Sequence, residues 1–248
     1  MDSQMPQNNA EYGGVEYWDD RYESEESYDW LASVKFTDLI MQYLKTTHRI
    51  LILGCGNSKM SEELYNKGYV HITNIDYSQV CTNKMVAKHE HCPHMTWEFM
   101  DMRNLDYANE MFDVVLEKAT LDVLMVEEKH PHNLSQECLD NMDKVLSEVS
   151  RVLSPEGIFI SFTFAQPYFR KPLYARSKFN WSVNHRTFGE TFHYFLYIMQ
   201  KGQSLSPEDL AKEKLRTSLP QENDKLQRNF GDVNEVPEDE NYLLNIDL

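Results

Sequence analysis

Arg49-Ile50-Leu51-Ile52-Leu53-Gly54-Cys55-Gly56-Asn57-Ser58 joins a short apolar run to a turn that carries two glycines. An unbroken apolar run of this length, stopped by glycine, reads as a strand buried on both faces, as in a parallel sheet. The glycines let the chain turn sharply and approach a ligand with no Cβ in the way. Met60, Leu64 and Tyr65 follow at helical spacing, and Gly68 closes the helix. The turn therefore faces the free N–H groups and positive dipole end of a helix. In open α/β sheets, ligands bind at such carboxyl ends of strands.

The same alternation continues outward. Val70 to Ile75 reads as a strand, and Ser78 to His89 as a helix with Val80, Met85 and Val86 inward. Met95 to Met100 and Phe112 to Leu116 read as two more strands. Ser135 to Leu153 is an amphipathic helix, ended by Ser154-Pro155-Glu156-Gly157, and Ile158 to Thr163 is a further β run. Trp181 to Arg186 and Phe192 to Met199 flank Thr187-Phe188-Gly189-Glu190 as an antiparallel hairpin. Repeated βα units closed by a hairpin imply a doubly wound, mainly parallel sheet with an antiparallel edge.

Three strand ends in succession carry candidate ligand contacts. The glycine turn lacks the third glycine of a dinucleotide pattern, since Lys59 stands there, which points to a ligand without a pyrophosphate. Asp76 ends the second strand, about 20 residues beyond the turn, where a carboxylate accepts ribose hydroxyls. Asp101 ends the third, placed to accept an exocyclic adenine N–H, with Met102 beside the ring.

Composition narrows the partners. Forty acidic residues against 24 basic ones give a formal net charge of -16, which opposes a nucleic-acid coat or a polybasic membrane anchor. Met1 to Ala10 is polar, no apolar run nears the length of a membrane span, and four cysteines make no disulfide framework. A reduced, cytoplasmic protein is the expectation. Residues 1–14 are expected as a flexible leader, 15–202 as the folded domain, and 203–248 as an acidic tail without fixed structure. Tyr242-Leu243-Leu244-Asn245-Ile246 is an apolar patch within that tail.

Gly54-Cys55-Gly56, Asp76 and Asp101, in this order on three neighbouring strand ends, resemble the class I S-adenosylmethionine-dependent methyltransferases. Asp113-Val114-Val115-Leu116-Glu117-Lys118-Ala119-Thr120-Leu121-Asp122, Tyr17-Trp18-Asp19-Asp20-Arg21-Tyr22, Tyr28-Asp29-Trp30 and Leu146-Ser147-Glu148-Val149-Ser150-Arg151-Val152-Leu153 sharpen the likeness. They are similar to the lysine methyltransferases that act on elongation factor 1-alpha. The resemblance implies a seven-stranded Rossmann-like sheet and S-adenosyl-L-methionine as cofactor. Its cofactor contacts carry over to Trp18, Tyr22, Trp30, Gly54, Asp76, Tyr77, Asp101, Met102 and Lys118. The three aromatic residues suit a sulfonium. Arg21 is read either as pairing the cofactor carboxylate or as a surface salt bridge. Ala119 departs from the family, which carries glycine there.

Base-amine methyltransferases place Asn or Asp-Pro-Pro-Tyr after the fourth strand, whereas this chain has Glu117-Lys118-Ala119-Thr120. A carboxylate there suits a lysine ammonium, so Glu117 and Asp122 are the candidate catalytic residues, to orient the amine. The alternative for Glu117 is a structural, capping carboxylate. Catalysis then consists of in-line positioning. The expected partner is elongation factor 1-alpha, with no nucleic acid, no membrane and no metal, and the chain is expected as a monomer. A small-molecule methyltransferase or a non-catalytic cofactor-binding module on the same fold stay open as alternatives.

His89-Glu90-His91-Cys92-Pro93-His94 fits no regular zinc spacing. His130-Pro131-His132 reads as a loop near the acceptor side. Tyr168, Phe169, Tyr174, Phe179 and Trp181 read as core or lid packing.

Overall fold

The computed structural model describes residues 6, 8–31, 35–128, 133–189 and 192–218. Seven strands form one sheet: β1 (Ile50–Leu53), β2 (Ile72–Asp76), β3 (Met95–Phe99), β4 (Phe112–Lys118), β5 (Leu153–Thr163), β6 (Trp181–Phe188) and β7 (Tyr194–Lys201). Their order is β3-β2-β1-β4-β5-β7-β6, with β7 antiparallel to both of its neighbours and every other pairing parallel. The expected class, a doubly wound and mainly parallel sheet with an antiparallel hairpin at its edge, is the observed one. Order reverses at β1, where β2 lies on one side and β4 on the other. Such a switch point opens a crevice at the strand ends.

The helices are α1 (Val15–Ser24), α2 (Phe36–Ile40), α3 (Met60–Asn66), α4 (Gln79–Lys88), α5 (Gln136–Val152), α6 (Pro167–Tyr174) and α7 (Pro207–Ser218). Strand period sorts the core into two layers. Ile50, Ile52, Val114 and Leu116 pack with residues of α1 to α4, and Leu51, Leu53, Val115 and Phe159 with those of α5 and α6. In α5 the buried Cys138, Met142, Val145, Val149 and Val152 make one apolar stripe. Ser78 and Ser135 cap α4 and α5, their hydroxyls accepting from the N–H groups of Cys81 (3.0 Å) and Cys138 (3.1 Å).

Several details depart from expectation. Val86 is half exposed, because α4 buries Cys81, Thr82 and Met85 instead. The β5 strand starts at Leu153, directly off α5, so Ser154 to Gly157 extend the strand rather than forming a separate turn. The folded part is wider than 15–202 at both ends. Tyr12, in a 3-10 turn at Asn9–Gly13, is 2% exposed, and its carbonyl accepts from Trp18 Nε1 at 2.8 Å. Beyond 202, Leu205 and Asp209 are buried, and α7 is tied to α6 by Lys171–Asp209 at 2.9 Å. The buried Leu205 and the part-buried Lys171–Asp209 pair hold this segment despite its polar composition. Residues 219–248, with the Tyr242 to Ile246 patch, lie outside the described residues, as do 129–132 and hence His130 to His132. Among the described residues no helix is long and apolar enough to cross a membrane.

Candidate active site

The parallel register brings the four strand ends level: Leu53 pairs with Ile75 on one side and with Glu117 on the other, and Asp76 with Phe99. Gly54 and Gly56 leave β1 in left-handed backbone, at φ +53° and +51°. A Cβ at Gly54 would lie 2.2 Å from Thr120 Cγ2, and one at Gly56 would lie 2.8 Å from Tyr22 Oη. Both positions thus exclude a side chain by conformation and by space.

One cleft of about 320 Å³ opens over these ends. Trp18, Tyr22, Trp30, Gly54, Asp76, Tyr77, Asp101, Met102 and Lys118 all line it, and so does Asp122. The structure therefore brings together nine residues spread over 101 positions of sequence, from 18 to 118, and one of the two acceptor candidates.

Asp76 is buried. Its Oδ2 accepts from the Gly56 N–H at 2.9 Å and its Oδ1 from the Ser78 N–H at 3.0 Å. Burial pushes its carboxyl up to about 6, against the lowering effect of those two N–H groups. The Tyr77 N–H acts on the carboxyl in the same lowering sense. The Tyr77 hydroxyl beside it is buried with no partner among the described residues. Asp101 is half exposed and gripped by Arg103, whose Nη2 lies 2.6 Å from Oδ2 and whose N–H donates at 2.8 Å. Burial raises its carboxyl, but the hydrogen bonds and charge of Arg103 outweigh it and leave the group below the usual range.

An aromatic cover closes the cleft from the N-terminal side. Trp18 stacks on Tyr22 (5.7 Å, 27°) and meets Trp30 edge to face (6.2 Å, 71°). Arg21 is neither on the surface nor a cleft wall. It is 5% exposed, ion-paired with Glu25 at 3.0 Å, and its guanidinium lies over Tyr28 (4.6 Å) and Trp30 (5.3 Å). The aromatic faces there hold a cation of the chain itself. Lys84 of α4 ties the cover down, its ammonium donating to the carbonyls of Tyr22 (2.5 Å) and Glu23 (3.0 Å).

Lys118 is committed to the same cover. Its Nζ donates to Asp29 (2.8 Å) and to the Trp30 carbonyl (3.0 Å). Asp29 also accepts from the Ser58 hydroxyl and, at 3.4 Å, from the Lys59 N–H. Burial raises the Asp29 carboxyl, but the Lys118 charge and these hydrogen bonds lower it further, so it stays ionised. Asp29 thus joins the cover, the glycine turn and the end of β4. The sequence showed it only as part of a motif, with no sign of its partner.

Glu117 departs from the expectation of an amine-orienting residue in the cleft. It is fully buried and does not line the cleft, because strand alternation turns it to the α6 side while Lys118 faces the cover. Its Oε2 accepts from the N–H groups of Thr120 (3.0 Å) and Leu121 (3.3 Å), and its Oε1 from the Ser161 hydroxyl. Burial, then the charge of Asp122, push it up to about 7. It is the structural carboxylate of the turn after β4. Ala119 in that turn stands at φ +59°, and its N–H donates to Phe162 O at 2.8 Å. The backbone keeps the left-handed shape that glycine favours, and the methyl group adds to the cleft wall.

In the histidine-rich stretch His89 is buried, stacks on Trp97 (5.1 Å, 25°), and its Nδ1 meets the Met85 carbonyl at 3.1 Å, while His91 and His94 are exposed. Among the described residues no three His, Cys, Asp or Glu side chains converge so as to hold a metal ion. Tyr174, Phe179 and Trp181 are core, and Tyr168 is 71% exposed.

A family model described as a methyltransferase domain matches residues 44–219. The chain is 44% identical over 212 residues to EEF1A lysine methyltransferase 4 of Mus musculus and of Bos taurus, covering 84% of this chain and 83% of each relative. It is 32% identical over 171 residues to the eEF1A lysine and N-terminal methyltransferase of Homo sapiens, covering 67% of this chain and 24% of that protein. Among solved structures, it is similar to the 1,6-didemethyltoxoflavin-N1-methyltransferase of Burkholderia thailandensis, with bound 1,6-didemethyltoxoflavin and S-adenosylhomocysteine. The TM-score is 0.53 at 14% identity, over 71% of this chain and 80% of that one. The [4+2]-cyclase SpnF is similar with a TM-score of 0.55 at 14% identity, over 74% of this chain and 86% of that one. At such identities the likeness is one of fold alone.

Proposed function

The chain belongs to the methyltransferase domain family, and from that premise we propose that it transfers a methyl group from S-adenosyl-L-methionine to a lysine of translation elongation factor 1-alpha. The observation that carries this reading is the 44% identity, over 84% of the chain, to relatives named EEF1A lysine methyltransferase 4. The cleft supports it. Asp76 lines the cleft as an acceptor for a vicinal diol, and the Tyr77 hydroxyl, buried with no partner among the described residues, belongs to the same cleft. Asp101 and Met102 would hold the adenine, and the Trp18, Tyr22 and Trp30 rings the sulfonium end. Gly54 keeps that approach free of a Cβ, and Lys118 contributes by fixing the cover through Asp29.

When bound, S-adenosylmethionine supplies an electrophilic methyl carbon already activated by its sulfonium. The chain's own work is to align a neutral amine with it and to exclude water. Asp122 faces the cleft beyond Ala119 and Thr120, where it orients the incoming lysine. Glu117 acts one step removed, by fixing the turn that carries Asp122. The chain works as a cytoplasmic monomer on a protein substrate, without nucleic acid or membrane. The net charge of -16 favours encounter with a basic partner.

The test is radiolabelled methyl transfer by the purified chain into lysate of cells that lack it. A labelled band that mass spectrometry identifies as elongation factor 1-alpha methylated on lysine is the expected result. Label confined to small molecules would replace the reading with the small-molecule alternative.

A further inference from the structure

Asp122 presents itself to the cleft but is held from behind. The Thr163 hydroxyl lies 2.6 and 2.8 Å from its two oxygens, and Arg170 Nη2 donates to Oδ1. Arg170, on α6, is 1% exposed, and its Nε and Nη1 are buried without any partner among the described residues. A buried guanidinium with two unpaired donor groups is destabilising, and such a group calls for an explanation. Among the described residues its one ion pair is with Asp122.

The surroundings are otherwise negative or neutral. Glu117 on β4, Tyr174 on α6 and Tyr197 on β7 all interact electrostatically with Asp122, and Cys138 on α5 and Glu128 before it with Arg170 or each other. Arg170 is the cation of this group among the described residues. Burial raises the carboxyls of both Asp122 and Glu117, and the charge of Arg170 acts against that rise in each.

We propose that Arg170 is a positioning residue for methyl transfer, which through its ion pair keeps the Asp122 carboxyl aimed at the acceptor end of the cleft. This rests on the reading of Asp122 as the group that orients the amine. Without Arg170, two buried carboxyls would share one site, and at least one would hold a proton.

The test has two readouts on the full chain. The first is the pH titration of the Asp122 carboxyl carbon by ¹³C NMR, assigned with Asp122→Asn, which needs no acceptor protein. The second is the pH profile of kcat/KM for lysine methylation. Deprotonation of the acceptor amine gives log rate one unit of slope, and protonation of Asp122 adds a second unit at lower pH. Arg170→Met is expected to raise both the Asp122 midpoint and this lower break by about one pH unit or more. Arg170→Lys brings them back toward the parent values. Glu117→Gln, which removes the neighbouring carboxyl, moves both downward and serves if Arg170→Met fails to fold. Gln can keep the Thr120 and Leu121 bonds with its oxygen and turn its amide to Ser161. An Asp122 midpoint unmoved in Glu117→Gln and in a folded Arg170 variant overturns the proposal. So does a midpoint that moves while the break in the rate stays put. Shifted midpoints in a chain that methylates no lysine support the ion pair and count against the parent reading of the acceptor.

Discussion

The Lys118 ammonium lies 2.8 Å from the Asp29 carboxylate, an ion pair that spans 89 residues of chain. The lysine at the end of β4 thereby belongs to the aromatic cover as much as to the cleft. Lys118 is 9% exposed and Asp29 29%, which sets the pair between the surface and buried cases.

Removing one partner should therefore destabilise the protein by about 2 kcal/mol, between the surface value of about 1 and the buried value of 3 or more. Lys118→Met is expected to show this loss in urea denaturation. Because Lys118 and the cover rings line the cleft, affinity for S-adenosylhomocysteine should fall by about tenfold or more.

Ala119→Gly should stabilise the chain. Left-handed backbone costs an L residue about 1–2 kcal/mol, and the extra freedom of glycine in the unfolded chain offsets about 0.4–1 of that. A net gain of about 0.5–1 kcal/mol in urea denaturation is expected. Transfer activity should be unchanged, since the φ of +59° is already the one glycine prefers.

Gly54→Ala should act in the opposite direction. Its Cβ would come within 2.2 Å of Thr120 Cγ2, and Thr120 in turn donates to Leu53 O (3.1 Å) and Gly54 O (3.2 Å). Strain together with overpacking predicts a loss of about 2–3 kcal/mol and a cleft that no longer binds the cofactor. Denaturation and ligand-induced fluorescence change would measure the two effects.

Asp76 predicts a pH dependence of binding. Its folded carboxyl titrates at about 6, above the usual aspartate value, because it is buried. A raised acid binds more protons folded than unfolded, so its contribution to stability is greatest below about pH 4 and falls as pH rises to about 6. Ligand hydroxyls donate best to the ionised form, so cofactor affinity should rise as pH passes upward through 6. Binding near pH 6 should also release part of a proton, which calorimetry in buffers of different ionisation enthalpy would detect.

The sheet and the strand-end residues that line the cleft were legible in the sequence because they are local. A strand, a glycine turn and a terminal carboxylate each occupy a few consecutive residues, as in Leu53-Gly54-Cys55-Gly56 or Ile75-Asp76. The inward face of Glu117 is legible too: period two puts it with Val115, on the face opposite Leu116 and Lys118. The partners of Asp29 and Asp122 were not legible, since each meets residues that only the tertiary fold brings near, whereas Glu25 stands just four residues beyond Arg21. The helix at Pro207–Ser218 was hidden by its composition, as two buried anchors outweigh a polar surface.

The most direct check is calorimetric titration of S-adenosylhomocysteine into the purified chain and into Asp76→Asn. One saturable site is expected in the parent. The variant, folded but lacking a charged acceptor for the ribose, should bind about ten- to a hundredfold more weakly. No binding in the parent, or undiminished affinity in the variant, would contradict the assignment of this cleft.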